Sequence, residues 1–336
     1  MMPTIGLAMI VKNGSASIAQ ALVSAKCVCS QLLVVDTGSD DETPLICKRF
    51  GAEVHFFEWT GSFSDARNHA LRLMRSDWIL ILDSDETLDI ESFKNDIELF
   101  NNETIGGIRV KINNVLKDKD SSTIYSHRYT RIFRNLRKSD SDPSQNRTFS
   151  FTGRIHEQIA ESIEKEGFTI VDSEIIINHY GYAEKNEDKI KRNKTMLEQE
   201  IAEKPNDDWL LFHLAETEFS GSNYEKAEEI YLNILDSESL STEQNEKSML
   251  RLAQIALKTD NHDNVIKYTS FSSENADREG FRRFILGISL LINRDIATAA
   301  KEINSDECNS SLLVDKKQLE QTRELLRALG AMTGKQ

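Results

Sequence analysis

Trp78-Ile79-Leu80-Ile81-Leu82-Asp83-Ser84-Asp85-Glu86 is an apolar run that ends in a knot of acids. Its first five residues have the length and composition of a fully buried strand. In open α/β sheets, ligands bind just beyond the carboxyl ends of the strands. Asp83 and Asp85 are two positions apart, so on an extended backbone both side chains point to one side. Paired carboxylates repel unless a cation lies between them. Their hard oxygens suit Mg²⁺ or Mn²⁺, with a substrate phosphate completing the shell. A strand followed by the acidic first turn of a helix accounts for the same stretch, so the surrounding chain has to decide.

Upstream, the chain alternates between two periodicities. Residues 4–11 are apolar and rich in strand formers, Lys12-Asn13-Gly14-Ser15 breaks them, and 17–25 carry a helical Ala/Ile/Leu pattern. Leu32-Leu33-Val34-Val35 is a second strand, ending at Asp36. Ser39 and Glu42 have the spacing of a capping box, which predicts a helix start there. Residues 52–59 form a third strand and 64–74 a helix. Strands and helices alternating through short turns imply a parallel sheet covered by helices. Asp36 then ends one strand, Arg67 and Asn68 open the helix after the next, and Asp83 and Asp85 end the fourth. Each alone reads as a turn acid or a solvated helix face, and their joint placement on one rim points to a site. Neither GxGxxG nor GxxxxGK[ST] is present, which disfavours a dinucleotide dehydrogenase or a P-loop NTPase.

Bulk properties narrow the class. A chain of 336 residues suggests two domains, and 39% hydrophobic with 29% charged residues describes a globular chain. A net charge of −14 argues against a general nucleic-acid binder. Cys27, Cys29, Cys47 and Cys308 lack zinc spacing and read as core thiols of a reducing compartment. No apolar run approaches a membrane span, no signal peptide is evident, and cytoplasm is the expected location.

Beyond residue 105 the pattern changes. Residues 106–112, 129–134, 154–160 and 174–179 read as short strands without regular helices between them, an antiparallel extension of the sheet. The polar segment 135–147 reads as a lid or acceptor-loop candidate. Two motifs remain. Phe151-Thr152-Gly153-Arg154-Ile155-His156-Glu157 gathers a Gly, a His and a Glu. Ile175-Ile176-Ile177-Asn178-His179-Tyr180-Gly181-Tyr182 is a strand ending at a His.

Taken in order, Leu7-Ala8-Met9-Ile10-Val11-Lys12-Asn13, Val35-Asp36-Thr37-Gly38-Ser39-Asp40-Asp41, Phe63-Ser64-Asp65-Ala66-Arg67-Asn68, Leu82-Asp83-Ser84-Asp85-Glu86, Gly153 to Glu157 and His179-Tyr180-Gly181 resemble the family 2 glycosyltransferases of GT-A fold. Among these, the bacterial peptide S-glycosyltransferases of the glycocin type are similar in carrying a tetratricopeptide tail. The resemblance implies a DxD motif in Asp83-Ser84-Asp85 that holds a divalent metal (Mn²⁺ or Mg²⁺) and a UDP-sugar donor. Asp85 and His179 would be metal ligands. Asp36 would read the nucleobase, with Arg67, Asn68, Asp83, Ser84 and Gly153 at the donor. Glu157 would be the general base, although the family's usual acidic pair is His156-Glu157 here. The expected acceptor is a peptide or protein side chain or a glycan.

Residues 184–204 are charged and helix-forming and read as a connecting helix. Trp209, Phe212, Ala215, Tyr224, Ala227 and Tyr231 then fall at helix-pair spacing resembling a tetratricopeptide repeat. Leu252-Ala253 and Leu286-Gly287 echo Leu214-Ala215 further on. The expected architecture is therefore a GT-A (Rossmann-like) mixed α/β sheet domain over 1–183 and all-α helical repeats over 205–336. The repeats suit either acceptor binding or a homodimer contact, and the alternative to an enzyme is a repeat scaffold whose sheet domain is catalytically inactive.

Overall fold

The computed structural model describes residues 2–115, 124–136, 148–180 and 187–333. The chain divides into two compact units, Met1–Lys185 and Asn186–Gln336.

In the first unit, β1 (Ile5–Val11), β2 (Gln31–Asp36), β3 (Glu53–Phe56) and β4 (Trp78–Ile81) are the predicted parallel strands. They are linked by α1 (Ile18–Lys26), α2 (Thr43–Arg49) and α3 (Phe63–Leu73). After β4 come β5 (Glu86–Leu88), α4 (Ile90–Asn95), a 3₁₀ turn (Ile97–Asn101), β6 (Ile105–Val115), β7 (Ile124–Arg134), α5 (Ala160–Lys165) and β8 (Thr169–His179). The described strands form one sheet in the order β3-β2-β1-β4-β7-β6-β8-β5. β3, β2, β1 and β4 are mutually parallel, and β7 joins β4 antiparallel. β6 runs antiparallel to β7 and parallel to β8, and β5 closes the sheet antiparallel to β8. This is the expected mixed α/β sheet; the extension built onto β4 was expected to be antiparallel throughout and contains one parallel pair, β6 with β8.

Strand alternation fills both faces of the sheet. Leu7, Met9, Val11, Trp78, Leu80 and Leu82 pack on one side with α1, while Ala8, Ile79 and Ile81 pack on the other with Ala70, Leu71 and Phe133. β2 is buried at all six positions, as a central strand of a doubly covered sheet requires. The order of neighbours reverses between β1 and β4, and in open α/β sheets ligands bind at the carboxyl ends of the strands beside such a point.

Three expectations change. The capping box at Ser39 and Glu42 does not form. α2 begins at Thr43 with Glu42 in the cap position and no side-chain cap. The Ser39 hydroxyl instead accepts the backbone N–H of Asn13 at 2.9 Å, a partner far off in sequence. Residues 154–160 are not a strand. They belong to a tight loop closed by paired backbone bonds between Thr152 and Gln158, both 2.9 Å, after which α5 starts at Ala160. β3 is half the predicted length, since the chain leaves the sheet after Phe56. Most of the lid candidate, 137–147, and Gly181 and Tyr182 lie outside the described residues.

The second unit is all-α. It contains α6 (Glu187–Glu203), α7 (Asp208–Ser220), α8 (Tyr224–Ile234), α9 (Thr242–Lys258), α10 (His262–Tyr268), α11 (Ala276–Ile292), α12 (Ile296–Ile303), α13 (Asp306–Ser310) and α14 (Lys316–Thr333). α6 belongs to this unit and is tied to α7 by Lys194 and Glu218 at 2.7 Å. Three helix pairs repeat one design: α7 with α8, α9 with α10, α11 with α12. The first helix of each pair is capped by the side chain of Asp207, Ser241 or Asn275. Each turn has a residue of positive φ, at Ser222, Asp260 and Arg294. Each is closed by the same five-residue backbone bond, Asn223 to Glu218, Asn261 to Ala256 and Asp295 to Leu290. Small residues let the helices cross closely: a Cβ on Gly287 would sit 2.6 Å from Ile303.

Glu216 ties two of these pairs together. It accepts the Tyr231 hydroxyl, Arg251 Nε at 3.0 Å and Lys247 Nζ at 2.5 Å. Burial alone would raise its pKa, but Arg251 and Lys247 outweigh burial and bring it to about 2. Glu216→Leu removes the carboxylate that Tyr231, Arg251 and Lys247 share and is expected to cost about 3 kcal/mol in urea unfolding of the full chain. A folded-state pKa below the unfolded one means that this contribution is present above the ordinary carboxylate pKa and is lost as pH falls toward 2. An unchanged unfolding midpoint for Glu216→Leu would show the cluster to be energetically idle.

Candidate active site

The carboxyl ends of β2 and β4 and the amino end of α3 supply the core of the site. Asp36, at the end of β2, is 5% exposed. Its Oδ1 accepts the backbone N–H of Gly38 and of Ser39, both at 2.9 Å, which orients the carboxylate. Its Oδ2 is buried without a hydrogen-bond partner. A buried carboxylate oxygen left unmatched is costly, so this is an acceptor waiting for a donor.

Arg67 is the hub. Ser62 caps α3 by accepting the Asp65 N–H at 3.2 Å, and the first turns of the helix then present Ser64, Arg67 and Asn68 on one face. Arg67 is 6% exposed, donates Nη2 to Asp83 at 2.9 Å and gives Nε to Glu157. Its flanking residues hold the loop that carries Glu157. Ser64 donates to the carbonyl of Gly153 at 2.5 Å. The Asn68 carboxamide is taken up by the backbone of Phe151, at 2.9 Å to the carbonyl and 2.8 Å from the N–H. Asn68, expected at the donor, holds this loop through these two bonds. Gly153 (φ +93°) and His156 (φ +54°) both lie in the left-handed region and fold this loop back on itself. The Phe151 ring also lies 5.7 Å from the Arg67 guanidinium.

Asp83 and Asp85 have different surroundings. Asp83 is held by Arg67 and, at 3.3 Å, by Arg131. Burial raises its pKa, but Arg131 and Arg67 prevail and hold the carboxyl well below the usual range. Arg131 also pairs at 2.8 Å with Glu86, whose second oxygen accepts the backbone N–H of Asp83 at 2.8 Å. Burial raises the Glu86 pKa against the pull of Arg131. Glu157, Arg67, Asp83, Arg131 and Glu86 therefore alternate in sign along one chain of ion pairs. Ser84 packs beside the β1–α1 turn, where a Cβ on Gly14 would lie 3.0 Å away.

Asp85 faces the other way. Its Oδ2 is 3.3 Å from Nε2 of His179, and its carbonyl accepts the Tyr180 N–H at 3.0 Å. The pairing of β5 with β8 sets this meeting, because Glu86 is opposite His179 in the register. Burial lowers the His179 pKa, but the hydrogen bond and charge of Asp85, with Glu86 and Asp83, raise it overall. Among the described residues no cluster of three His, Cys, Asp or Glu side chains is arranged to hold a metal. The donor set still fits a divalent cation in one way. Asp83 is neutralised by two arginines, whereas Asp85 and His179 converge, so two protein ligands are on offer and a diphosphate and water would supply the rest.

The structure thus brings Arg67, Asp83 and Glu157 together and pairs Asp85 with His179. Arg131, Glu86 and Asn114, whose Oδ1 is 2.8 Å from His179 Nδ1, were not singled out from the sequence. Glu86 stood in the acidic stretch itself. Arg131 is one of three arginines in β7, and Asn114 is a buried polar residue next to the end of β6, signals that carry no partner until the sheet is assembled.

The strand-end rim of acids with a histidine lies on a mixed, doubly covered α/β sheet. Residues 7–163 match the model described as glycosyl transferase family 2. The SPbeta prophage-derived glycosyltransferase SunS of Bacillus subtilis is 28% identical over 219 residues, which is 62% of this chain and 48% of SunS. A TPR repeat-containing protein of Synechococcus elongatus is 40% identical over 92 residues, 27% of this chain and 23% of that protein. The matches span less than half the length of either relative. Among solved structures, Staphylococcus aureus TarS 1–349 in complex with UDP-GlcNAc aligns over 89% of this chain and 91% of its own, at 13% identity and a TM-score of 0.41. No helix of the described residues is long and apolar enough to cross a membrane.

Proposed function

We propose that the chain transfers a sugar from a UDP-sugar to a nucleophilic acceptor with inversion at the anomeric carbon. The observation that carries this reading is Arg67, which ties Glu157 directly to Asp83 and so puts a candidate base and the acidic donor motif in one contact chain. The unpartnered Asp36 Oδ2 suits a nucleobase with a ring N–H, such as uracil. Asp85 and His179 would hold the divalent cation, Mn²⁺ or Mg²⁺. A cation bound there supplies Lewis-acid stabilisation of the departing diphosphate.

Glu157 has one oxygen on Arg67 and accepts the acceptor's proton through the other. The acceptor atom bonds to the anomeric carbon as the bond from that carbon to the UDP oxygen breaks, and UDP leaves with the electron pair. Attack from the face opposite UDP gives inversion. A peptide or protein side chain or a glycan is the proposed acceptor, and the helical repeats of the second unit are proposed to bind it or a second copy of the chain. The domain limits proposed are 1–183 for the sheet domain and 205–336 for the repeats.

Thermal stability with UDP, GDP, CDP and dTDP, each with and without Mn²⁺, tests the reading. A ligand that binds the folded state raises apparent stability by mass action. UDP is expected to raise the melting temperature, further with Mn²⁺, and Asp85→Ala is expected to lose the Mn²⁺ increment while keeping the metal-free response. No shift with any nucleotide would overturn the proposal and leave a repeat scaffold with an inactive sheet domain.

A further inference from the structure

Asp83 is held at every polar atom of its backbone and carboxylate. Its N–H donates to Oε2 of Glu86 at 2.8 Å, and its carbonyl accepts the Glu86 N–H at 3.1 Å, which closes the turn after β4. Its Oδ1 meets Arg67 and its Oδ2 meets Arg131. Nη2 of Arg131 carries two protons and serves two acids, Asp83 Oδ2 at 3.3 Å and Glu86 Oε1 at 2.8 Å. A bulge delivers Arg131 to this place. β7 pairs Ile132 with Ile108 and Thr130 with Arg109 of β6, so Arg131 is an extra residue that the ladder passes over. Pairing of β7 with β4 ends at Ile132 and Leu80, one residue short of it. Bulges re-aim side chains, and this one lets Arg131 turn to the end of β4 while Ile132 and Phe133 pack into the cores of the two faces.

We propose that Arg131 is a positioning residue of the donor site, which acts through Asp83 to set where the UDP portion of the donor is held. The inference rests on the proposed function, in that Asp83 is placed at the donor there. A carboxylate offers about four acceptor sites, and the two arginines take one on each oxygen. The Asp83 side chain is still 39% exposed, so the remaining sites are open to donor hydroxyls. Arg67 alone would leave the carboxylate free to turn about its bond to Cβ. Two guanidiniums on opposite oxygens fix its plane, and a misplacement of about 1 Å at such a site can cost about 100-fold.

A double-mutant cycle on the full chain tests this, read as UDP affinity by calorimetry without metal and again with Mn²⁺. Arg131→Lys is the first variant. Its ammonium stands short of the Nη2 position and is a single point charge, so it keeps the nearer and more buried partner, Glu86, and releases Asp83 Oδ2. UDP affinity is expected to fall by about 10- to 100-fold under both conditions, with a urea midpoint near that of the wild type. Asp83→Ala leaves Arg67 with Glu157 and Arg131 with Glu86, so neither arginine loses its last acid. It is expected to weaken UDP at least as much. Added to Asp83→Ala, Arg131→Lys is expected to cost nothing further, because its route to the donor is gone.

Wild-type UDP affinity in Arg131→Lys, with or without a loss of stability, would overturn the inference. So would a loss that persists undiminished in the Asp83→Ala background, since Arg131 would then act by another route. If Arg131→Lys does not fold, Arg131→Met combined with Glu86→Gln removes both charges together and keeps an acceptor for the Asp83 N–H. That protein is expected to fold and to show the same loss of UDP affinity, and wild-type affinity in it overturns the inference. Wild-type UDP binding by Asp83→Ala overturns this inference alone and leaves the proposed transfer reaction standing. No UDP binding by the wild-type protein, with or without Mn²⁺, overturns the proposed function and this inference together.

Discussion

Glu157→Gln is expected to slow sugar transfer by about 10²- to 10⁴-fold, the usual contribution of a positioned general base. The amide keeps an oxygen where Arg67 Nε donates, so the loop between Thr152 and Gln158 should hold its shape. UDP affinity with and without Mn²⁺ should therefore stay within a few-fold of wild type. The discriminating pattern is a fall in kcat with little change in donor KM, measured as release of UDP in the presence of a sugar acceptor. Turnover equal to wild type would remove Glu157 from the base role and direct attention to His156, its strained neighbour.

Arg67→Ala is expected to have the second large effect, and on two quantities together. Removing one member of a buried ion pair costs about 3–5 kcal/mol because the other charge is left unmatched. Asp83 retains Arg131, so the penalty falls mainly on Glu157 and the lower end of that range applies. The loop bearing Glu157 would also lose its tie to the donor motif, so transfer should fall at least as far as in Glu157→Gln, with weakened UDP binding besides. Arg67→Lys should recover part of the stability and little of the transfer. An ammonium is a single point charge and does not reproduce a planar fork that serves two carboxylates at once. Urea unfolding and UDP binding of the three proteins separate these effects, and a stable, fully active Arg67→Ala would show that the ion-pair chain is incidental.

Much of this architecture was legible in the order of residues. The parallel half of the sheet follows from apolar runs of strand length broken by helical periodicity, and β1, β2 and β4 lie where those runs stand. The acids that end β2 and β4 could be placed on one rim because neighbouring parallel strands finish on the same side. Helix pairs were visible because each repeat must bury the same small and aromatic positions, as Ala215, Ala253 and Gly287 do. These features are local, or periodic, and local physics specifies them.

Partner choice was a different matter. Ser39 had the spacing of a helix cap, yet Asn13 of the neighbouring turn takes its hydroxyl. The run from Arg154 to Ala160 had strand-like composition, yet positive φ at Gly153 and His156 and the grip of Ser64, Arg67 and Asn68 make it a loop. Arg67 was expected at the donor, and its bonds to both Asp83 and Glu157 could not be read from its position in the chain. Arg131, Glu86 and Asn114 gained partners only when β7, β5 and β6 came alongside the ends of β4 and β8. By itself the sequence determined most of the strands and helices, β1, β2 and β4 and the helix pairs among them, and the polar residues that end them, because hydrophobic burial and backbone periodicity act over a few neighbouring positions. The tertiary structure alone decided which charges meet, because an ion pair or a hydrogen bond between residues far apart in the chain depends on sheet order and register, which leave no periodic trace.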